Sequence, residues 1–222
     1  MKTIKFNSVL FLALILGLTL NTGKVIAQDQ AAMPAMEEAQ APAQEMDPKM
    51  AAMMEKFKAY STPTENHRAL DILIGNWDYT IKWWMAADKT PEESVGVSEV
   101  TWILNGRFLS QKINGTSMGQ PFEGIGIVGY NNLKKTYETI WIDNMATGMM
   151  IGTGQFNAAN KTMMEEGNFS CPLVDGTRGY RTTMKIQDND HYSYEMYMTD
   201  VDSGKEFKAM EINYTRKSSK LQ

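Results

Sequence analysis

The chain has 222 residues, with 22 basic and 26 acidic side chains and a formal net charge of −4 at pH 7. This acidic balance argues against a nucleic-acid-binding protein, because contact with phosphates requires a net basic face. The single cysteine, Cys171, excludes an internal disulfide, and we expect a buried, inert thiol at this position.

The first 27 residues have the pattern of a signal peptide. Two lysines precede an apolar run over residues 9–20, and small residues lie before a cleavage site after Ala27. The apolar run is shorter than the ~20 residues of a membrane span, which makes an uncleaved anchor the alternative. Cleavage removes three of the 22 basic residues and no acidic one, which leaves 19 against 26 and a charge of −7. We expect a periplasmic or secreted protein with no integral membrane segment after cleavage.

Two segments are expected before the main domain. Residues 28–46 consist largely of Ala, Gln, Glu, Met and Pro, a composition that predicts a disordered linker. Residues 47–61 predict an amphipathic helix, because Asp47 can serve as N-cap and Pro48 suits the first helical position. Its apolar residues recur at helical spacing: Met50, Met53, Met54, Phe57 and Tyr60. A second short turn or helix begins at Thr64.

After Gly75 the hydrophobic period changes from that of a helix to two. Trp77, Tyr79, Ile81 and Trp83 alternate mainly with polar residues, which predicts a strand with one buried face. Trp84 falls on the outer face of this strand by the same alternation.

Asn105-Gly106 predicts a two-residue β-hairpin. Folding about this turn pairs Trp102 with Leu109 on one face and Glu99 with Lys112 on the other. Opposite charges suit an outer face, so the predicted register is self-consistent.

The remainder, up to residue 217, predicts further short strands separated by Gly, Asn and Asp turns. Roughly eight to ten strands without intervening helices indicate an all-β, closed antiparallel up-and-down barrel over residues 62–217. Residues 218–222 are expected to form a flexible tail.

Several separated motifs resemble the bacterial family known as domain of unknown function fifteen seventy-nine. They are His67-x-x-Leu70-x-x-Leu73-x-Gly75-x-Trp77, Leu104-Asn105-Gly106-Arg107-Phe108-Leu109, Pro121-Phe122-Glu123-Gly124, Gly129-Tyr130-Asn131, Trp141-x-Asp143 and Thr147-Gly148. The family usually has Gly-Gly at the hairpin and Gly-Tyr-Asp where Asn131 stands, and both changes suit tight turns. The resemblance implies a fold and brings no activity with it.

The beginning of the domain also resembles the wider calycin group of lipocalins, fatty-acid-binding proteins and nitrobindins. In those barrels a short helical turn leads into Gly-x-Trp, and a basic residue of the last strand packs over the Trp. The resemblance implies that Arg216 stacks on Trp77 in a cation–π contact worth roughly 0.5–2 kcal/mol. His67 is expected to fasten the preceding helix to this closed end.

The barrel is expected to bind a small, partly apolar molecule in an aromatic-lined cavity toward its open end. The candidate cavity-lining residues are Trp83, Trp102, Arg107, Gln111, Glu123, Trp141, Asp143, Arg178, Tyr180, Tyr192 and Tyr194. Aromatic side chains that simply fill the core are the alternative, which we favour at the closed end around Trp77. A homodimer is compatible with the sequence.

Other functions are disfavoured, and we expect no cofactor. Haem binding, by analogy with nitrobindins, requires an inward histidine, whereas His191 falls on the outer face and His67 precedes the first strand. The methionines could bind Cu(I), although no histidine or cysteine accompanies them. Glu123 and Asp143 could form an acid/base pair, but the common catalytic motifs are missing, so we expect a binding protein rather than an enzyme.

Overall fold

The structure is a computed structural model that describes residues 47–218. The predicted signal peptide and linker, and all but the first residue of the predicted tail, lie outside the described residues. Three short helical segments precede the sheet: α1 (Pro48–Ser61), α2 (Glu65–Arg68) and a 3₁₀ turn (Asp71–Leu73). None of the helices within residues 47–218 has the length and apolar character needed to cross a membrane.

Ten antiparallel strands form a closed barrel in which each strand pairs with its neighbours in sequence and β1 pairs with β10. The strands are β1 (Gly75–Trp83), β2 (Glu92–Ile103), β3 (Phe108–Ser117), β4 (Gln120–Asn131), β5 (Thr136–Asp143), β6 (Met150–Asn157), β7 (Thr162–Cys171), β8 (Gly176–Ile186), β9 (His191–Thr199) and β10 (Glu206–Arg216). The predicted up-and-down barrel is therefore confirmed.

The predicted register of the β2–β3 hairpin is confirmed, but its turn is longer than predicted. Trp102 pairs with Leu109 and Glu99 with Lys112, and the ladder ends at the pair of Ile103 and Phe108. The turn has four residues because Leu104, Asn105 and Gly106 all adopt positive φ angles, of 49°, 56° and 77°.

Helix α1 begins as the sequence predicts and keeps its apolar side chains exposed. The Asp47 side chain accepts a hydrogen bond from the backbone N–H of Lys49 at 2.8 Å, and Phe57 is 65% exposed. Asn132 attaches the end of the helix to the barrel, because its Nδ2 donates to the carbonyl oxygens of Tyr60 and Thr62 at 3.0 and 2.8 Å.

The buried core lies at the end of the barrel where β1 begins. Segment α2 and the 3₁₀ turn, together called the plug, bring Leu70 and Leu73 against Trp77, whose side chain is only 1% exposed. We call this end the plug end. The opposite end, where β1 finishes at Trp83 and the longest connections between strands lie, is called the loop end.

Candidate functional site

Arg216 and Trp77 join the barrel to the plug. The guanidinium lies 4.1 Å from the centre of the Trp77 ring, in the contact expected from the sequence. Its Nη1 and Nη2 donate to the carbonyl oxygens of Ile74 and Ile72 at 2.6 and 2.7 Å, and Trp77 Nε1 donates to that of Leu73 at 2.9 Å. Plug carbonyl groups that would otherwise lack partners are thus satisfied by the barrel.

Two more aromatic side chains attach the plug. Trp102 Nε1 donates to Asp71 Oδ1 at 2.7 Å, and the Tyr137 hydroxyl donates to the carbonyl oxygen of Asn66 at 2.6 Å. Burial raises the pKa of Tyr137 to about 12. Trp102, expected to line the cavity, instead fastens the plug.

His67 is buried within the plug and caps its own turn. Its Nδ1 accepts from the backbone N–H of Thr64 at 2.9 Å, and its ring meets the Tyr130 ring edge-on at 5.8 Å. Burial, with a smaller effect of Arg107, lowers the pKa of His67, which favours the neutral imidazole needed for this acceptor role. The hydrogen bond that ties α2 to the barrel comes from Tyr137 instead.

Gln111 and Tyr192 belong to the packed core on the plug side. Gln111 Nε2 donates to Ser98 Oγ at 2.9 Å and lies 3.4 and 3.5 Å from the hydroxyls of Tyr192 and Tyr214. The two tyrosine rings are stacked at 4.1 Å, and the Tyr192 ring makes a T-shaped contact with the Trp77 ring at 4.7 Å. These groups already have partners within the protein.

Two predicted lining residues lie outside the interior. Arg107 is in the β2–β3 turn, where its Nη1 donates to the carbonyl oxygen of Leu104 at 3.2 Å. Glu123 is exposed on the outer face of β4, because it alternates with Phe122 and Gly124, which face inward. Glu123 and Asp143 therefore point to opposite faces and do not form the acid/base pair considered above.

Trp141 lies flat against the inner surface of β4. A Cβ atom added at Gly124 would come within 2.3 Å of the ring, and Gly126 lies beneath the same indole. Trp141 Nε1 donates to Asp143 Oδ2 at 2.7 Å, and the ring stacks on Phe122 at 6.4 Å and 18°. The glycines let the ring lie against the wall of the barrel, where it remains partly accessible.

A carboxylate cluster lies on the inner wall across strands β5 to β8. Glu165 Oε1 accepts from Thr139 Oγ1 at 2.6 Å and from the Tyr180 hydroxyl at 2.9 Å. Gly152 makes room for these groups, since a Cβ atom there would lie 2.2 Å from Glu165 Oε1 and 2.8 Å from both hydroxyl oxygens. We call Thr139, Gly152, Glu165 and Tyr180 the Glu165 cluster.

The interior perturbs the acid–base chemistry of this cluster. Burial raises the pKa of Glu165 against the opposing effect of its two hydroxyl donors. The pKa of Tyr180 is raised by burial and then by the nearby Glu165, and the same two causes raise the pKa of Tyr194. Among residues 47–218, no lysine or arginine forms an ion pair with Glu165.

Glu165 is not among the cavity-lining residues predicted from the sequence, although the alternation of residues along β7 indicates that it faces inward. Met163, Glu165, Gly167 and Phe169 alternate along β7 and share its inner face. A carboxylate within such an apolar row is a candidate for function, because an isolated buried charge is unfavourable.

The remaining predicted residues are spread along the interior. Tyr194 follows Tyr192 on the inner face of β9, and Arg178, on β8, pairs with Phe169 of β7 nearer the loop end. Arg178 Nη2 donates to the carbonyl oxygen of Thr199, while its buried Nε has no partner.

The neighbouring tryptophans Trp83 and Trp84 point to opposite faces. Trp83 pairs with Met210 at the loop end of β1, whereas Lys208 lies 5.7 Å above the ring of Trp84 on the outer face.

The histidines and acidic residues of the described part offer no preformed metal centre. Residues 47–218 contain no group of three His, Cys, Asp or Glu side chains arranged to hold a metal ion. His191 is exposed, with its Nδ1 2.9 Å from Asp188, while His67 is occupied in the plug.

Two of the shallow depressions that residues 47–218 form lie on the outer wall, and the groups around the second are already paired. One lies between β1, β2 and β10. The other, between β8, β9 and β10, contains Arg181, which pairs with Glu206 at 2.6 Å and stacks on Tyr197 at 3.9 Å. A ligand would have to displace these contacts.

The fold and the plug contacts define a ten-stranded, calycin-like barrel. Residues 62–216 match the family described as "Protein of unknown function (DUF1579)", and the chain belongs to this family. No curated protein matches the chain.

Two solved structures show the same fold. Rv2717c from M. tuberculosis is similar with a TM-score of 0.54 at 15% identity, over 70% of this chain and 99% of that one. The S-type phycobiliprotein lyase CPES from Guillardia theta has a TM-score of 0.52 at 10% identity, over 75% and 98%.

Proposed function

We propose that this protein binds a small, partly apolar molecule in the half of the barrel nearer the loop end. The observation that carries the proposal is the solvent accessibility of inward side chains there. Unlike Trp77 and Tyr137, they are only partly buried: Trp83, Phe122, Trp141, Met150, Phe169 and Met198. Accessible aromatic and thioether surface inside a barrel offers an apolar ligand a place to exclude water.

Polar groups along this surface would orient the ligand. Asp143 is already engaged by Trp141 Nε1 and by the backbone N–H of Met145 at 2.9 Å. The Glu165 cluster is different, because one carboxylate oxygen still accepts nothing from residues 47–218. A few such groups in an apolar site usually determine specificity.

The comparison with the phycobiliprotein lyase supports a barrel fold that can accommodate a ligand, but it indicates no particular ligand. At 10% identity, the likeness concerns the fold alone. The proposal therefore rests on the residues of this chain.

We also propose that the protein acts outside the cytoplasm. The support is the signal-peptide pattern of residues 1–27. Mass spectrometry of the protein from its own host should then find a mature chain that begins at Gln28. A mature protein that retains residues 1–27 in the cytoplasmic fraction would contradict export.

Native mass spectrometry of the same material tests binding most directly, because a co-purifying small molecule would add a defined mass. Fluorescence titration with fatty acids, quinones and aromatic acids then extends the search. Trp141→Leu should weaken the binding of any such molecule at least about tenfold, as expected when a buried aromatic contact is lost.

Trp84→Leu is the matched control, because this ring lies on the outer wall and should leave binding unchanged. No bound molecule and no response to any ligand class would refute the proposal, as would equal losses in both variants.

A further inference from the structure

Glu165 has one carboxylate oxygen that the protein leaves free. Both hydroxyl donors, Thr139 and Tyr180, contact Oε1, and no donor among the described residues contacts Oε2. Within residues 47–218, the only fully buried side-chain nitrogen or oxygen without a partner is Arg178 Nε. Glu165 Oε2, which also has no partner, is therefore accessible to solvent.

Among residues 47–218, no lysine or arginine forms an ion pair with this carboxylate. Arg178 lies on the inner face of the neighbouring strand β8, but β7 and β8 pair Arg178 with Phe169 and Glu165 with Thr182. Arg178 also donates to the carbonyl oxygen of Thr199, and it forms no ion pair with Glu165. A carboxylate held inside a barrel without a cation is energetically unfavourable, and a cationic ligand would remove that penalty.

Aromatic side chains lie near the carboxylate on the inner wall. The Tyr180 hydroxyl lies 2.9 Å from Oε1, and the Phe169 ring lies 6.4 Å from that of Tyr180, toward the loop end. Tyr194 lies on the inner face of β9, and its pKa is raised by burial and then by Glu165. Aromatic faces attract ammonium groups, and the attraction is stronger where water is excluded.

We propose that the ligand class of this site is an organic ammonium ion. Its nitrogen contacts Glu165 Oε2, and its apolar part extends toward Phe169 and Trp141 at the loop end. This inference rests on the proposed function, since it specifies what the same half of the barrel binds.

Isothermal titration calorimetry with three matched probes tests the inference. The probes are 2-phenylethylammonium, neutral 2-phenylethanol and anionic 3-phenylpropionate. The ammonium ion should bind most tightly, and Glu165→Gln should weaken it by about tenfold or more, because a charge-assisted hydrogen bond is roughly twice as strong as a neutral one.

The chain supplies a matched control. Glu166 is the adjacent carboxylate and is exposed on the outer face of β7, so Glu166→Gln should leave the affinity for all three probes unchanged. The affinity of Glu165→Gln for 2-phenylethanol should also stay within about twofold of the wild type, because that probe carries no charge to lose.

The pH dependence of the wild type provides a second measurement that needs no variant. The affinity for 2-phenylethylammonium should fall as the pH is lowered and Glu165 takes up a proton, while that for 2-phenylethanol stays constant.

Two results would overturn the inference in distinguishable ways. If the alcohol or the carboxylate binds as well as the ammonium ion, or Glu165→Gln binds it unchanged, the ligand class is wrong and the proposed function stands. If none of the three binds, the ligand class is wrong, and the proposed function is then decided by native mass spectrometry and by the titrations with fatty acids, quinones and aromatic acids.

Discussion

The two ends of the barrel use the same kinds of side chain in different ways. At the plug end, Trp77, Trp102 and Tyr137 direct their N–H or O–H groups to acceptors in the plug. Toward the loop end, Trp141 bonds to Asp143 of its own strand, and Glu165 bonds only to hydroxyls of the barrel wall. The aromatic interior is therefore structural where a second element satisfies its polar groups, and it is toward the end where no second element does so that we propose binding.

The largest effect should come from Trp77→Ala at the plug end. Removing a fully buried ring should lower the free energy of unfolding by about 3–5 kcal/mol. Urea unfolding followed by circular dichroism measures the loss. The control is Trp84→Ala, which truncates a ring on the outer wall and should cost far less. Equal losses for the two variants would show that the plug end is not the stabilising half.

Arg216→Met should have the next largest effect. The change keeps the length of the side chain but removes donors to the carbonyl oxygens of Ile72 and Ile74 and the stacking on Trp77. We expect a loss of about 2–3 kcal/mol, the scale of leaving buried carbonyl groups without partners. Arg216→Lys should restore part of it. If Arg216→Met unfolds at the same urea concentration as the wild type, the contacts of Arg216 with the plug and with Trp77 do not contribute to stability.

Gly152→Ala tests the Glu165 cluster. The added methyl group would overlap Glu165 Oε1, so we expect destabilisation of about 1–3 kcal/mol and loss of ligand affinity. Gly148→Ala is the matched control, because its nearest contact is Ser170 Cβ at an ordinary 3.7 Å. Thermal unfolding and calorimetry together measure both effects. A Gly152→Ala protein as stable as the Gly148→Ala control would contradict the crowding around Glu165.

The smallest effect concerns Glu165 and pH. Because burial raises the pKa of this carboxyl above its unfolded value, the folded state binds more protons between the two values, and stability falls as the pH rises through that window. Glu165→Gln should therefore unfold at a higher temperature than the wild type at neutral pH, and the difference should shrink as the pH falls toward about 4, the unfolded value. A difference independent of pH would contradict the burial of the charge.

The contact of Trp77 with Arg216 is the part of the plug end that is predicted correctly, and the resemblance to calycins implies it, whereas Trp102 and Gln111 in the same half are predicted to line the cavity. The change of period at Gly75 and the Gly-x-Trp motif place Trp77, and strand alternation places Arg216 on the same inner face. The antiparallel pairing of β1 with β10 then sets these two residues directly opposite each other.

The sequence is less informative about the part of the barrel nearer the loop end, because the middle of β4 has its isoleucines on the outer face and glycines on the inner face. Glycines occupy inner positions, where the Trp141 ring fills the space, while Ile125 and Ile127 face outward. Hydrophobicity alone favours the opposite assignment, which also places Glu123 inside. Glycine carries no hydrophobic signal, so a ring that crosses from a neighbouring strand cannot be predicted from β4 itself.

Arg107 shows a second limit of the sequence. The predicted inward position of Arg107 requires a two-residue turn. In the structure, Leu104, Asn105 and Gly106 have successive positive φ angles, so Arg107 lies in the turn and does not pair with β2. Asn and Gly favour positive φ angles and can be recognised in the sequence, whereas a leucine such as Leu104 does not indicate one.

The methionine methyl groups allow the most direct test of the difference between the two ends. Met150 and Met198 lie at the loop end, Met163 is buried in the core at the plug end, and Met53 lies on exposed α1. A ¹³C-methyl NMR titration of methionine-labelled protein with 2-phenylethylammonium should shift the signals of Met150 and Met198 and leave those of Met163 and Met53 in place. Shifts confined to Met163 or Met53 would contradict a binding site at the loop end.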